Sequence, residues 1–464
     1  MRDILIKNGL VVTAEETRRQ DVLISKGVIA AIGEDLESGA AQVLDATGQY
    51  VLPGGVDVHT HLSLQVGGFR VSDGFYMGSV AAAFGGTTCV VEHPSFGPEG
   101  CSLLHQISVC RQEAESACVI DFSLHGVFQH CTPRILSEIP ALLKAGVSSA
   151  KVYMTYAYRL EDRAILQILQ EAKHSGLLVT FHAENHEGVT FCQDQLKQEN
   201  RVAVKYYPRS RPACCEAEAI HRIACLAEVV GDVAVYIVHL STASGLAVIE
   251  AAQKRGVPIY AEVCPQYLLL DDCSYAEPEN RGLRYIMAPP LRTKADNTAL
   301  WQGLARGSIA TVATDHCSFT SAEKYRWGKD DFTKAPGGIP GVETRLPLLF
   351  SEGVLTERIS LNRFVELTST MPAKIMGLYP RKGNLAPGAD GDIVLFDPCK
   401  EVTLSPGMLQ QNADYTPFHG RMVRGWPSIT IVRGKIVVED GKLMAESGWG
   451  TFIHRRSAGG SFAL

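Results

Sequence analysis

Three patterns of apolar and polar positions follow one another along the chain. At the start the apolar runs are short, at residues 4–6, 10–12, 21–24 and 28–32, with Asn8-Gly9 and Lys26-Gly27 as turns. They predict a small antiparallel β unit with too few strands to close a core alone. From about residue 52 β-type runs recur at 56–61, 87–93, 119–127, 149–154, 178–184, 235–241, 259–265 and 310–317. Helical patterns lie between them, such as 163–175 and 244–255; the latter opens on a Ser cap and stops before Gly256. Apolar strands alternating with helices predict an α/β fold with a parallel sheet covered by helices. Eight repeats predict closure as a (β/α)8, TIM-like barrel. A doubly wound open sheet is the competitor, but no Gly-X-Gly-X-X-Gly follows the first strand. After about residue 380 short strands return at 392–396, 428–432 and 435–438, with turns at Arg433-Gly434 and Asp440-Gly441. The expected organisation is therefore a barrel over 52–379 and one composite β-sandwich domain built from 1–51 and 380–464. The Gly-rich tail beyond about residue 446 is expected to be mobile or used in subunit contacts.

Composition narrows the class. With 464 residues, 46% of them hydrophobic, the chain can bury one large core and a smaller one. A net charge of -6 gives no reason to expect nucleic acid or an anionic membrane as partner. There is no apolar run of the ~18 residues that a membrane span needs. The first residues lack the apolar centre of a signal peptide. Thirteen cysteines, an odd number, are scattered without a Cys-X-X-Cys pair. They read as reduced thiols and a cytoplasmic location.

The chemistry lies at strand ends. His59 and His61 close the first strand on one face, because alternate side chains share a side. His182 and Glu184 close the fifth, His239 the sixth and Asp315 the eighth, and Lys151 lies within the fourth. In a barrel these ends converge on one mouth. Four imidazoles and a carboxylate suit zinc, or manganese at lower affinity. A lysine ammonium among such ligands would repel the metal. Either Lys151 is neutral and has reacted with carbon dioxide to a carbamate, or it is a structural lysine paired with a carboxylate.

The segments 53–62, 151–156, 182–185, 238–241, 288–292, 314–317 and 388–394 together resemble the dihydropyrimidinase and hydantoinase branch of the cyclic amidohydrolases, in order and over nearly the whole chain. The resemblance implies two divalent metal ions, zinc first and manganese second. His59, His61 and Asp315 would hold the more buried ion and His182 and His239 the other. Carboxylated Lys151 would bridge them. It implies Tyr156 as donor to the oxyanion, Asp315 as proton carrier, and main-chain groups near Ala288 and Gly337 as holders of the ring amide. Leu64 and Tyr153 would face the ring substituent. The implied partner is a small cyclic amide, such as a 5-substituted hydantoin or a dihydropyrimidine, and the implied assembly is a homotetramer.

Two positions depart from the family pattern: Ala288 stands where Ser is common, and the segment 336–341 lacks the usual Asn at Gly337. His93 and His125 match no ligand motif and read as structural or mouth-lining. His186, His221 and His316 read as supporting or surface groups, Glu184 as an orienter of a histidine, and Cys317 as a packing thiol. An allantoinase- or dihydroorotase-like activity and a non-catalytic scaffold of the same fold are the competing functions.

Overall fold

The computed structural model describes residues 2–39 and 41–457. Eight parallel strands form the barrel: β1 (Gly55–Thr60), β2 (Thr87–Glu92), β3 (Asp121–Leu124, resumed at Gly126–Val127), β4 (Ser149–Tyr153), β5 (Leu178–His182), β6 (Val235–Ile237), β7 (Ile259–Val263) and β8 (Thr311–Val312). Neighbours pair in sequence order, β3 meeting β2 through its first half and β4 through its second. The ring closes where the Asp315 amide donates to the His59 carbonyl (2.9 Å) and the His61 amide to that of His316 (2.8 Å). The fully buried Arg345 guanidinium ties the same seam, donating to the carbonyls of Val56 and Val312 (2.9 Å each) and to Thr87 Oγ1 (3.0 Å).

The helices outside the barrel follow their sequence signals. Helix Asp162–Ser175 buries Ile165, Ile168, Leu169 and Ala172, one stripe at helical spacing, and ends at Gly176 with φ 75°. Helix Ala243–Lys254 starts earlier than its sequence suggested. Its cap is Thr242, whose hydroxyl accepts from the Gly245 amide at 3.0 Å, while Ser244 already lies in the first turn. Two expected strands are also shorter than their apolar runs. The ladders of β6 and β8 stop early, and just beyond them His239 (φ 41°) and Asp315 (φ 52°) leave the extended region.

Both chain ends build the flanking β sandwich. Its larger sheet runs Lys442–Leu443, Lys435–Glu439, Met422–Val432, Ile393–Thr403, Tyr50–Pro53, Leu10–Val12, Thr17–Arg19; its smaller one runs Val28–Gly33, Asp21–Ser25, Ile4–Lys7, Gln42–Asp45. Ile4, Ile6, Val22 and Ile24 of the small sheet meet Val11, Val51, Ile393, Leu395 and Ile431 of the large one in a common core. The N-terminal unit is not purely antiparallel as expected. Ile4–Lys7 pairs parallel with Gln42–Asp45, and Leu10–Val12 parallel with Tyr50–Pro53, because successive strands are shared between the two sheets.

At the opposite end of the barrel from the strand ends, Lys382 is buried among three carboxylates: Asp121 (2.5 Å), Asp392 (2.7 Å) and Asp390 (2.8 Å). Arg433 of the sandwich joins Asp121 at 3.0 Å. Of the two expectations for the tail, mobility is corrected for residues up to 457. The Phe122 amide donates to Thr451, the Ile453 amide donates back to Phe122, and the buried Arg455 reaches Ser123 and Leu124. These pairings lash the segment to β3; residues 458–464 lie outside the described part. Among the described residues no helix is long and apolar enough to cross a membrane.

Candidate active site

Two clusters of donor atoms sit side by side where the strands end. His59 is the penultimate residue of β1 and His61 lies one residue past its end, so both rings lean inward from one strand face. Their Nε2 atoms each stand 3.1 Å from the same oxygen, Oδ1 of Asp315. In the second cluster His182 Nδ1, from the end of β5, faces His239 Nε2 at 2.9 Å. Lys151 projects from the middle of β4 and is 1% exposed. Burial draws its pKa down from the ordinary lysine value to about 8, against the pull of Glu262 and Asp315. Burial, reinforced by the Lys151 charge and neighbouring imidazoles, pushes His59 and His239 well below the usual imidazole range. Near neutrality these rings therefore keep free lone pairs.

The outward ring nitrogens of His59 and His182 are held by carboxylates; those of His61 and His239, both Nδ1, have no partner among the described residues. His59 Nδ1 contacts Glu262 Oε1, which also accepts the His239 amide at 3.1 Å. His182 Nε2 bonds Glu184 Oε2 at 2.7 Å, and Arg211 clamps the same oxygen. Burial alone would raise the Glu184 carboxyl; Arg211 and the His182 hydrogen bond outweigh it and bring it to about 2. Acceptors on the outer nitrogen fix the tautomer and turn the inner lone pair toward the cluster, as carboxylates do behind metal-bound histidines. Asp315, His239 and Tyr156 all have positive φ (52°, 41° and 70°), rare for residues with side chains. The surrounding bonds from His59 and Glu262 hold the first two there, a local cost of the kind concentrated at functional sites.

This donor set fits two divalent cations. It offers two nitrogens and a carboxylate oxygen in one cluster, two nitrogens in the other, and a buried amine with a lowered pKa near both. Among the described residues His61 Nδ1, His239 Nδ1 and both nitrogens of His93 have no hydrogen-bond partner although buried. His93, expected to be structural or mouth-lining, lies at the mouth. Its ring lies 4.4 Å from that of His59, and the nitrogens of His59, His61 and His93 fall within 4.8 Å of one another. His125, stacked on His93 at 4.1 Å, is structural as expected, bonded to the Val58 carbonyl and Ser149 Oγ. His316 is also a supporting group, fixed by Asp73 (2.7 Å) and the Gly341 amide (3.0 Å). His186 is half-buried and His221 exposed. Burial pushes the Cys317 thiol well above its ordinary value, as befits a packing thiol.

The mouth above the clusters is aromatic. The Tyr156 ring is 5.1 Å from His182 and lies 5.1 Å from the Arg211 guanidinium. Tyr153 is 6.2 Å from Tyr156 and 5.5 Å from Phe96, which stacks on Tyr158 at 4.0 Å. Leu64 packs on the small cluster of Val71, Cys317 and Phe319 together with Phe69. The segments of Ala288 and Gly337 run side by side: the Gly338 amide donates to the Ile286 carbonyl at 2.9 Å. Sequence reasoning missed Glu262, Arg211 and Phe96. Glu262 had a signal, as the one acidic residue inside the apolar run of β7. Arg211 had none, because it sits in a loop far from the strand-end motifs.

Comparisons with known proteins agree with this arrangement. Residues 50–437 match the model of the amidohydrolase family. The chain is 45% identical to a D-phenylhydantoinase of Escherichia coli O1:K1 over 98% of both chains. A crystal structure of dihydropyrimidinase from Brevibacillus agri superposes with a TM-score of 0.96 at 39% identity, covering 98% of this chain and 99% of that one. The L-hydantoinase of Arthrobacter aurescens superposes at 0.90 with 32% identity, over 98% and 100%. A family match over most of the chain, with ligand-type residues at the same strand ends that define its mouth, leads to one conclusion: this chain belongs to the amidohydrolase family.

Proposed function

We propose that the chain opens cyclic amides, 5-substituted hydantoins and dihydropyrimidines, by hydrolysis to N-carbamoyl amino acids. The observation that carries this reading is the convergence of His59 Nε2 and His61 Nε2 on Asp315 Oδ1 beside the His182–His239 pair. In it His59, His61 and Asp315 would hold one divalent ion and His182 and His239 a second, with Lys151 as a further ligand. Two such ions, zinc before manganese, supply hydroxide near neutral pH and polarise the scissile carbonyl. Lys151 takes part as a carbamate. Its neutral amine adds to carbon dioxide and loses a proton, which turns a repelling cation into a ligand; burial that lowers its pKa to about 8 supplies that amine.

The remaining work falls to protein groups. Main-chain groups near Ala288 and Gly337 hold the ring amide. Tyr156 donates to the oxygen that becomes anionic as the ring carbon turns tetrahedral. Asp315 receives the proton of the attacking water and passes it to the departing ring nitrogen. Leu64, Tyr153 and the aromatic surface around Phe96 and Tyr158 exclude water from the ring substituent, at about 25 cal/mol per Å² of apolar area buried. That lining favours aryl or alkyl substituents over the carboxylate of dihydroorotate or the ureido group of allantoin. We place the working unit as residues 52–379 with the sandwich of 1–51 and 380–464 beside it, assembled as a homotetramer in the cytoplasm.

Steady-state rates on phenylhydantoin, dihydrouracil, allantoin and dihydroorotate test the reading. Faster turnover of phenylhydantoin than of the other three is expected. A metal-loaded enzyme that opens only dihydroorotate or allantoin would replace the substrate assignment, and one that binds less than one metal per chain would favour a scaffold.

A further inference from the structure

Helix Ser321–Gly328 lies behind the ring-binding segments, and one of its side chains points inward without a counter-ion. Lys324 is 0% exposed. Its Nζ donates to the Ile286 carbonyl at 2.7 Å and to the Pro336 carbonyl at 3.1 Å. Those two carbonyls belong to the two separate segments that carry Ala288 and Gly337. Ile286 O also accepts from Gly338, so the lysine and one main-chain bond converge on one atom. On the far side Tyr207 Oη donates to the Met287 carbonyl at 2.7 Å. The two segments are thus tied to each other through Lys324, and the first is held by Tyr207 as well.

Burying a lysine with no acid beside it is costly, and an apolar side chain of similar volume would avoid the cost. Its retention here calls for something only N–H donors supply. We infer that Lys324 is a positioning residue that ties segment 286–288 to segment 336–338 and so sets the gap in which main-chain groups hold the ring amide. The inference rests on the cyclic-amide reading of the mouth. Burial also draws the Lys324 pKa down to about 7. A neutral amine has two N–H bonds, the same number as the carbonyls it faces.

The test is a KM-against-kcat split on the metal-loaded enzyme with phenylhydantoin. Lys324→Met removes the donors at similar volume. It is expected to raise KM by about tenfold, with kcat within about threefold of wild type and metal content unchanged, the signature of lost substrate binding. Lys324→Gln restores two N–H donors without charge and is expected to return KM to within about threefold of wild type. Should Lys324→Met not fold, Lys324→Ser, which leaves room for water, carries the same expectation. A truncation variant with wild-type KM overturns the inference, even if its melting temperature falls. So does a Lys324→Gln enzyme whose KM stays as high as that of Lys324→Met, since packing would then be what was lost. Wild-type enzyme that opens no cyclic amide overturns the functional reading itself, an outcome separate from an active wild type indifferent to Lys324.

Discussion

Lys151 at the barrel mouth and Lys382 at its base are both buried, and they differ in what surrounds them. Lys382 touches three carboxylates within 2.8 Å. Burial alone would lower its pKa, but Asp121, Asp392 and Asp390 carry it above the ordinary lysine value. Lys151 has Glu262 and Asp315 acting on it only from a distance, and burial wins, leaving it at about 8. One cluster is complete: every charge has a partner, and its three acids all hold Lys382. The other is incomplete by the same measure, with four buried imidazole nitrogens lacking partners among the described residues. A satisfied buried network fixes structure; the composition of the other cluster, imidazoles with a carboxylate, fits a cation.

The largest effect should come from breaking the unsatisfied side. Lys151→Ala is expected to lower kcat by about 10³-fold or more and to lose most of the bound metal, while circular dichroism stays native. Lys151→Arg should not rescue it, since guanidinium stays charged. Mass spectrometry of the native protein should find one carbon dioxide on Lys151; an unmodified amine at full activity would refute the bridge. The satisfied side should respond in the opposite currency. Lys382→Met leaves buried Asp392 without its cation, while Asp121 keeps Arg433 and Asp390 keeps Arg381, and is expected to cost about 3–5 kcal/mol in urea unfolding. The folded fraction should keep its kcat and metal content, and a specific activity that fell with stability would erase the contrast.

A third prediction sharpens the comparison at Glu184. Glu184→Gln weakens the acceptor behind His182 and is expected to cost about 10–100-fold in affinity for the second metal. The same carboxyl gives a pH dependence. It titrates at about 2 in the folded chain against an ordinary 4.5, so the folded state binds fewer protons between those values. Its contribution to stability is complete above about 4.5 and fades as pH falls toward about 2. The unfolding free energies of wild type and Glu184→Gln should therefore converge on acidification through that window; a constant gap would place the stabilisation elsewhere. The smallest effect is at the rim. Leu64→Asp should raise KM for phenylhydantoin by about tenfold and for unsubstituted hydantoin hardly at all, by loss of ~1–2 kcal/mol of apolar burial. An equal change in both would show that Leu64 does not meet the substituent.

The sequence carried the barrel and the strand-end residues that the structure brings together, because both are written locally. Apolar runs mark strands, and a ligand at a strand end needs only its neighbours to be recognised. What it did not carry depends on distant pairing. Glu262 and His59 are separated by 203 positions, and Arg211 comes to Glu184 from a loop. His93 matched no motif, and its place became visible only when β1 and β2 were adjacent. The positive φ of His239 and Asp315 likewise ended two strands where the apolar pattern ran on. The tail failed for a related reason. Its composition is that of a loose end, yet Thr451 and Ile453 find backbone partners on β3.

The pairing of Tyr50–Pro53 with Ile393–Thr403 also bears on how the chain is made. The early strands Thr17–Arg19, Leu10–Val12 and Tyr50–Pro53 can align as soon as they leave the ribosome. Their open edge is then Tyr50–Pro53, whose buried, apolar side chains and free main-chain groups await a partner roughly 340 residues downstream. At about 5–20 residues per second that wait lasts about 20–70 s. For that time the nascent chain displays an adhesive strand edge, the feature that finished proteins cover or charge.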